Sequence, residues 1–148
     1  MTLLPCPLCT PRDETLVWQD SCCRVILVED PDYPGFCRVI WHDHVAEMSD
    51  LVPLEQQHLM GVVLATERAL RALMKPEKIN LASLGNQVPH LHWHVIPRFR
   101  EDAHFPEAIW GTRQRATRPG QAPDREILAS WIESIMGHPG KPAGSATV

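Results

Sequence analysis

The chain has 148 residues, of which 44 % are hydrophobic and 22 % charged, and its 18 acidic and 14 basic residues give a formal net charge of -4. This composition is that of an ordinary folded domain and argues against nucleic acid as the main partner. No run of about 18 apolar residues could span a membrane, and the start lacks the features of a secretory signal. We therefore expect one cytoplasmic domain over residues 1–137, with 138–148 as a disordered tail.

Five segments of the chain have the composition of strands, being rich in Val, Ile, Leu and Trp and separated by turn residues. They cover residues 15–20, 22–30, 36–41, 78–86 and 90–99. The third and fourth are separated by a helical pattern, so the predicted order is three strands, a helix and two strands.

Two segments have the spacing of amphipathic helices. The first runs from Leu54 to Met74, with Pro53 in its first turn and Pro76 beyond its end. The second follows the capping residue Asp124 and ends near Gly137. Its predicted apolar stripe consists of Leu128, Trp131, Ile132 and Ile135. The polar segment 100–123, with interspersed Gly and Pro, is predicted to be a surface loop.

The stretch VPHLHWHVIPRF, residues 88–99, contains histidines at 90, 92 and 94. On a strand these three share one face, while Leu91 and Trp93 share the other. A single histidine on such a face is often merely tolerated, but three in register indicate a function. Neighbouring imidazoles oppose one another's protonation, so some of them should stay neutral near pH 7.

Two uses of such a row are chemically reasonable. A His-x-His pair can bind a metal, although three alternate residues extend over about 13 Å, which is far for one ion. Alternatively, the middle imidazole attacks phosphorus while a neighbour donates a proton or a hydrogen bond. Attack on phosphorus accounts for a row of neighbouring histidines better than metal binding does.

The segment HLHWHVI fits the His-φ-His-φ-His-φ-φ signature of the histidine triad (HIT) superfamily, where φ is apolar. The similarity continues through the following Pro-Arg, and PGFCRVIWHDHV resembles the family's PGH-x-LVIP-x-x-H segment. The resemblance implies an α+β fold with an antiparallel sheet of about five strands, one long helix and a C-terminal helix, commonly as a homodimer. It also implies hydrolysis or transfer at the α-phosphate of a nucleotide, such as a dinucleoside polyphosphate or a nucleoside phosphoramidate.

Carried over to this sequence, the resemblance makes His92 the nucleophile and His94 a hydrogen-bond partner of the phosphate, with His90 completing the triad. Asn86 stands where the family has a glutamine, and Asn80 matches a polar position of the same pocket. No catalytic metal is implied.

Two further residues are candidates for substrate binding. Arg98 ends the last strand and could face a phosphate, although an arginine there is often simply solvated. Trp110 lies in the loop and could cover a base, or it could anchor the loop to the core.

The family's ribose-binding Asp or Asn falls at Val28, which has no side-chain hydrogen-bonding atom. We expect either that Glu29 or Asp30 takes its place, or that the substrate is not held through an ordinary ribose.

Cys6 and Cys9 form a C-x-x-C pair, the spacing with which two thiolates bind one zinc, and a redox pair is the alternative. In similar histidine triad proteins the other ligands correspond to His44 and His90, which implies a closed structural zinc site. His42 could replace His44. The odd count of cysteines, with two adjacent, favours reduced thiols, and the other three are predicted to be core residues: Cys22, Cys23 and Cys37.

Two other functions compete with the nucleotide-processing enzyme. One is a metal-dependent hydrolase or oxygenase that uses the His-x-His pair as ligands with an open coordination position. The other is a zinc-stabilised module that binds nucleotide without turnover. Sensitivity of activity to chelators distinguishes the first, and binding without turnover the second.

Overall fold

The computed structural model describes residues 5–137, so the predicted tail at 138–148 lies outside the described residues. Five strands form one antiparallel sheet in the order β1-β2-β3-β5-β4. The strands are β1 (Thr15–Gln19), β2 (Cys23–Leu27), β3 (Cys37–Trp41), β4 (Lys78–Ala82) and β5 (His92–Arg98), and the helices are α1 (Pro53–Met74) and α2 (Arg125–Met136). The predicted α+β fold is confirmed.

The β1–β2 turn is held by a side chain in place of a glycine. The carboxylate of Asp20 accepts hydrogen bonds from the backbone N–H groups of Cys22 and Cys23, at 2.8 and 2.9 Å. Such an Asx-type turn lets β2 fold back directly on β1. A short 3-10 helix, Met48–Asp50, precedes α1.

The helix α1 covers one face of the sheet. It begins where Glu55 accepts a hydrogen bond from the backbone N–H of Val52 at 3.0 Å, and it ends at Lys75, whose φ of 50° is left-handed. Seven residues of one side of α1 are buried: Leu59, Val62, Val63, Ala65, Thr66, Ala69 and Leu70. They join the apolar face of the sheet, including Val39 and Val95, in the main core. The opposite face of the sheet is therefore left for other uses.

The helix α2 is capped as predicted, because the Asp124 carboxylate accepts from the backbone N–H groups of Glu126 and Ile127. Only half of the predicted apolar stripe of α2 is buried. Leu128 and Ile132 are fully buried, whereas Trp131 is 42 % and Ile135 37 % exposed. Since α2 packs at the side of α1 and β1, only the inner half of its stripe reaches the core.

The last two strands are shorter than predicted. The fourth ends at Ala82 and the fifth begins at His92. Between them the chain turns through Gly85, whose φ is 72°. The backbone of Leu91 donates to Val45 and accepts from Trp41, so it has left the ladder with β4. His90 therefore precedes the strand that carries the other two histidines.

No helix among residues 5–137 combines the length and the apolar character needed to cross a bilayer.

Candidate active site

The sheet face opposite α1 carries the candidate site, because β3 and β5 pair in a register that gathers polar side chains there. His94 lies opposite Arg38, and His92 lies opposite Ile40. Residues directly opposite each other in an antiparallel pair point to the same face. A cavity of about 400 Å³ opens over this face, lined by Leu8, Arg38, Leu84, Gly85, Asn86, Gln87, Val88, His92, His94 and Trp110.

A second cavity of about 450 Å³ is slightly larger, and residues lining it include Tyr33, Met74 and Pro123. None of the described histidines lines it. We place the site in the smaller cavity, because two imidazoles able to act as nucleophile or base converge there.

The hydrogen bonding of His92 determines which ring nitrogen is reactive. Its Nδ1 lies 2.5 Å from the backbone carbonyl oxygen of His90. Since a carbonyl can only accept, Nδ1 carries the proton, and Nε2 of the neutral ring holds a free electron pair. Burial lowers the pKa of His92, and nearby Arg38 lowers it further, against the opposing effect of the His90 carbonyl. The ring is thus kept unprotonated at Nε2.

His94 is buried among aromatic rings beside His92. Their ring centroids are 4.9 Å apart, and the rings of Phe36 and Trp110 lie 5.6 and 5.1 Å from that of His94. Burial lowers the pKa of His94 to about 4, with contributions from His92 and Arg38, so the ring is neutral at pH 7. Its buried Nδ1 has no hydrogen-bond partner within residues 5–137. Such an orphaned atom in a cavity wall is typical of a ligand site.

Arg38 was not among the residues singled out from the sequence, yet it lines the cavity. Its guanidinium carbon lies 5.7 Å from the centroid of the Phe36 ring. The signal in the sequence is a single charge inside the apolar strand FCRVIW. Which residues lie next to that charge depends on the pairing of β3 with β5, and composition does not reveal this pairing.

The structure brings four of the predicted nucleotide-site residues together: His92, His94, Asn86 and Trp110 all line the cavity. Asn80 and Arg98 do not line it. Arg98 is 2 % exposed, and its guanidinium donates to Asn80 Oδ1 at 2.7 Å, to Asp102 at 2.8 and 3.0 Å, and to the Glu107 carbonyl at 2.7 Å. Instead of the predicted contact with phosphate, Arg98 has these internal partners, which engage four of its five N–H donors.

The structure places His90 apart from the cavity, with its ring among cysteines. Its Nε2 donates to the Trp41 carbonyl oxygen at 2.6 Å, so the free electron pair is on Nδ1. This Nδ1 lies 3.4 Å from the Sγ atoms of Cys6 and Cys9 and 3.2 Å from Nδ1 of His44. Cys9 Sγ lies 3.3 Å from Nδ1 of His44.

The Cys6-Cys9-His44-His90 cluster fits a tetrahedral metal. All four ligand atoms lie within 4.8 Å of one another, and zinc bonds of about 2.0–2.3 Å to N and S put neighbouring ligands roughly 3.3–3.8 Å apart. The hydrogen bond from His90 Nε2 to a carbonyl is the outer contact that usually orients a zinc-bound imidazole. A zinc held there would cross-link the N-terminal segment to the chain before β5. His42 is not part of this group, since its Nε2 donates to the Asp20 carbonyl at 2.9 Å.

Val28, which stands where the family has a ribose-binding Asp or Asn, has apolar surroundings. Val28 packs against the buried cluster of Tyr33, Phe36 and Ile96. Glu29 accepts from the Thr15 hydroxyl, and Asp30 accepts from the backbone N–H of Asp32. Neither of the two predicted substitutes lines the histidine cavity.

Two other histidines have partners that the sequence did not suggest. His58 Nε2 lies 2.6 Å from Asp20, and together with Cys22 they form a second group with metal-compatible spacing. His104 Nδ1 lies 2.5 Å from the Tyr33 hydroxyl. The three remaining cysteines lie in or against the core, as predicted.

The curated relatives that match this chain are AP-4-A phosphorylases from two strains of Mycobacterium tuberculosis. Each is 32 % identical over 89 residues, which cover 56 % of this chain and 46 % of the relative. The chain thus matches about half the length of these relatives, and the similarity concerns that half alone.

Solved structures of histidine triad proteins share the fold. One from Bradyrhizobium japonicum has a TM-score of 0.63 and 30 % identity, over 83 % of this chain and 88 % of its own. One from Marinobacter aquaeolei has a TM-score of 0.64 and 25 % identity, over 84 % and 89 %. The family model for the HIT domain matches residues 10–101, which is more than half of the sequence. The chain therefore belongs to the histidine triad family.

Proposed function

We propose that this protein is a nucleotide hydrolase or nucleotidyl transferase that acts at an α-phosphate through a covalent adduct on His92. The observation that carries the proposal is the hydrogen bond from His92 Nδ1 to the His90 carbonyl, at 2.5 Å. It leaves an unprotonated Nε2 on a residue of the cavity wall, which is what an attack on phosphorus requires. The curated relatives are named AP-4-A phosphorylases, and this name supports a nucleotide as the substrate of the present protein.

In the first step, the electron pair of His92 Nε2 forms a bond to phosphorus while the bond from phosphorus to the leaving group breaks. A leaving phosphate departs with that electron pair as an anion, whereas a leaving amine also takes up a proton from solvent. In the second step, an acceptor such as water attacks phosphorus and gives up a proton to solvent, while the bond from phosphorus to His92 breaks and its electron pair returns to Nε2. His92 alternates between a neutral and a phosphorus-bound ring, and its proton stays on Nδ1, hydrogen-bonded to the His90 carbonyl oxygen, throughout.

The surrounding residues have supporting roles. The buried Nδ1 of His94 lacks an internal partner, and in the proposal this ring hydrogen-bonds the phosphate. Asn86 lies in the turn beside Gly85 and contributes an amide to the same group. Trp110 is 52 % exposed beside His94, a position suited to stacking against a base.

The proposal is tested by incubating the protein with a dinucleoside polyphosphate and with an adenosine phosphoramidate. We expect an acid-labile nucleotidyl adduct on His92 by mass spectrometry. His92→Ala should lose both the adduct and turnover, by at least about 10⁴-fold. His58→Ala, a histidine outside the cavity, is the matched control and should turn over normally. Residual turnover in His92→Ala close to that of wild type would exclude this nucleophile.

The two competing functions give other results in the same assay. Loss of turnover on chelation without loss of folding would indicate a metal-dependent enzyme. Neither metal-compatible group within residues 5–137 includes His92 or His94, so the geometry gives this alternative no support. Nucleotide binding with no adduct and no turnover would indicate a binding module.

A structural zinc on Cys6, Cys9, His44 and His90 is the second part of the proposal. It rests on the separations of 3.2–3.4 Å among their ligand atoms. A solved relative from Mycobacterium smegmatis is described as zinc-bound, although at 23 % identity it shares only the fold. We expect about one zinc per chain by metal analysis, lost in Cys6→Ser and retained in the control Cys22→Ser. Equal zinc in all three proteins would place the metal elsewhere.

Three further predictions come from the sequence and the family resemblance: a single domain over residues 1–137, a homodimer and a cytoplasmic location. Light scattering of the purified protein tests the dimer, with a monomeric mass as the contradicting result.

A further inference from the structure

We propose that Arg38 makes the site selective for substrates whose leaving group is a phosphate anion, so that nucleoside polyphosphates react in preference to phosphoramidates. This inference rests on the proposed function. It adds a residue of β3, which determines substrate specificity, to the three histidines. Of these, His90 precedes β5, and His92 and His94 lie on it.

Arg38 is a cation without a counter-ion in the described part of the chain. Its Nε is buried with no hydrogen-bond partner, and no ion pair is formed by its guanidinium among residues 5–137. The carboxylate that influences it electrostatically is Glu14. Glu14, however, is already held by Arg24 through two contacts of 2.8 Å. Because an unpaired charge whose Nε is buried is costly, we infer that Arg38 is available to an anionic ligand.

The position of Arg38 relative to the triad identifies the ligand as an anion next to the reacting phosphate. Arg38 is directly opposite His94 in the sheet. Three buried side-chain nitrogens lack partners in residues 5–137, and two of them belong to this cross-strand pair, as Arg38 Nε and His94 Nδ1. Arg38 is also the one residue of the described cavity wall with a fixed charge, since that wall contains no Lys, Asp or Glu. Two neighbouring residues of the cavity wall thus each carry a nitrogen that is unpartnered in the described part of the chain, and one of them carries a positive charge.

The two substrate classes differ in what their leaving groups offer this corner. When a phosphoanhydride is cleaved, the leaving phosphate accumulates negative charge, which a guanidinium stabilises by charge-assisted hydrogen bonds. An amine that leaves from a phosphoramidate departs neutral or protonated, and it gains nothing from a neighbouring cation. Because Arg38 is the one residue with a fixed charge in the described cavity wall, it provides this discrimination.

The kinetic test compares kcat/KM for diadenosine tetraphosphate with that for an adenosine phosphoramidate, in wild type, Arg38→Met and Arg38→Lys. We expect Arg38→Met to lower the ratio of the two rates by about tenfold or more, the loss of one charge-assisted contact. Arg38→Lys should restore part of the ratio. Arg113→Met removes an exposed charge outside the cavity and should leave the ratio unchanged. An equal loss on both substrates would overturn the inference.

A binding test separates this inference from a structural role for Arg38. Inorganic pyrophosphate should raise the Tm of wild type and of His92→Ala, but not that of Arg38→Met. Without ligand, Arg38→Met should melt no lower than wild type, because it breaks no ion pair within residues 5–137 and its buried Nε has no hydrogen-bond partner there. A lower Tm for the unliganded variant, or an unchanged pyrophosphate shift, would overturn the inference.

Failure of the inference and failure of the proposed function are distinguishable. Absence of the His92 adduct in wild type would refute the function, while a pyrophosphate shift that depends on Arg38 would still support the anion site. An adduct formed with an unaltered substrate ratio in Arg38→Met would refute only the role of Arg38.

Discussion

Arg98 and Arg38 lie on the same face of the sheet, on adjacent strands, and both are largely withdrawn from solvent. Arg98 donates to a carboxylate, an amide and a carbonyl, all between 2.7 and 3.0 Å. Arg38 forms no ion pair within residues 5–137, its buried Nε has no hydrogen-bond partner there, and its guanidinium carbon lies 5.7 Å from the centroid of the Phe36 ring. Two arginines on one face of the sheet therefore differ in the number of their internal partners, and Arg38 is also less deeply buried than Arg98.

The difference shows how to separate a structural arginine from one available to a ligand. A guanidinium has five N–H donors. When these are used within the protein, the residue stabilises the fold and cannot bind substrate without breaking those contacts. When they are not, the protein carries an uncompensated charge, which an incoming anion can neutralise. The predictions below test this distinction, beginning with the largest effect.

Replacement of Arg98 by methionine should lower the free energy of unfolding by about 3–5 kcal/mol, because it leaves the buried Asp102 carboxylate without its cation. Urea denaturation measures this. The double variant Arg98→Met/Asp102→Asn should recover part of the loss, since it also removes the stranded charge. An unchanged urea midpoint for Arg98→Met would contradict the conclusion that Arg98 is a structural residue.

Protonation of Asp102 should have the next largest effect. Burial raises its pKa, but hydrogen bonds from Arg98 and from backbone N–H groups outweigh burial, and the pKa falls from 3.8 to about 2. The unfolded chain then binds more protons between about pH 4 and 2, so stability falls as the pH falls through this window, by about 2 kcal/mol in total. Urea midpoints from pH 6 to 2 measure the effect. The same slope in Asp102→Asn would contradict the assignment.

Replacement of Arg24 should have an intermediate effect. Its guanidinium pairs with Glu14 and donates to the Leu8 carbonyl at 2.9 Å, but the Glu14 side chain keeps 16 % exposure. Since water can replace part of this pairing, we expect Arg24→Met to lose about 1 kcal/mol. Thermal and urea unfolding should both report it. A loss of unfolding free energy as large as that of Arg98→Met would mean that the number of internal partners does not determine how much each arginine stabilises the fold.

Arg38→Met should have the smallest effect on stability, with an unfolding free energy equal to or slightly above that of wild type. The variant removes an unpaired charge and breaks no internal hydrogen bond. The same urea titration measures it, with Arg113→Met as the control for loss of a positive charge. A clear loss of stability would place Arg38 with Arg98 as a structural residue.

Much of the fold could be predicted from the sequence because local signals specify it. The prolines at 53 and 76 bound α1, and the pattern of β-branched and aromatic residues marks all five strands. The exposure of Trp131 could not be predicted, since helical spacing identifies an apolar stripe but not the depth of the contact that covers it.

The candidate site was predictable where residues are neighbours along the chain and not where they meet through folding. The alternation around His92 indicated a shared face for the rings of His92 and His94. The role of Arg98 depends on Asp102, which lies in a loop without periodicity, so the ion pair between them could not be predicted from the sequence. The position of Arg38 depends on the register between two strands more than 50 residues apart.

The hydrogen bond that fixes the tautomer of His92 ends on a main-chain oxygen. Any amino acid at position 90 would offer that oxygen, so substitution of the His90 ring removes a cluster ligand while leaving the acceptor in place. The His90 ring and the His92 ring can therefore change independently in evolution. A descendant of this protein that has lost the Cys6-Cys9-His44-His90 cluster would still hold His92 in its reactive tautomer.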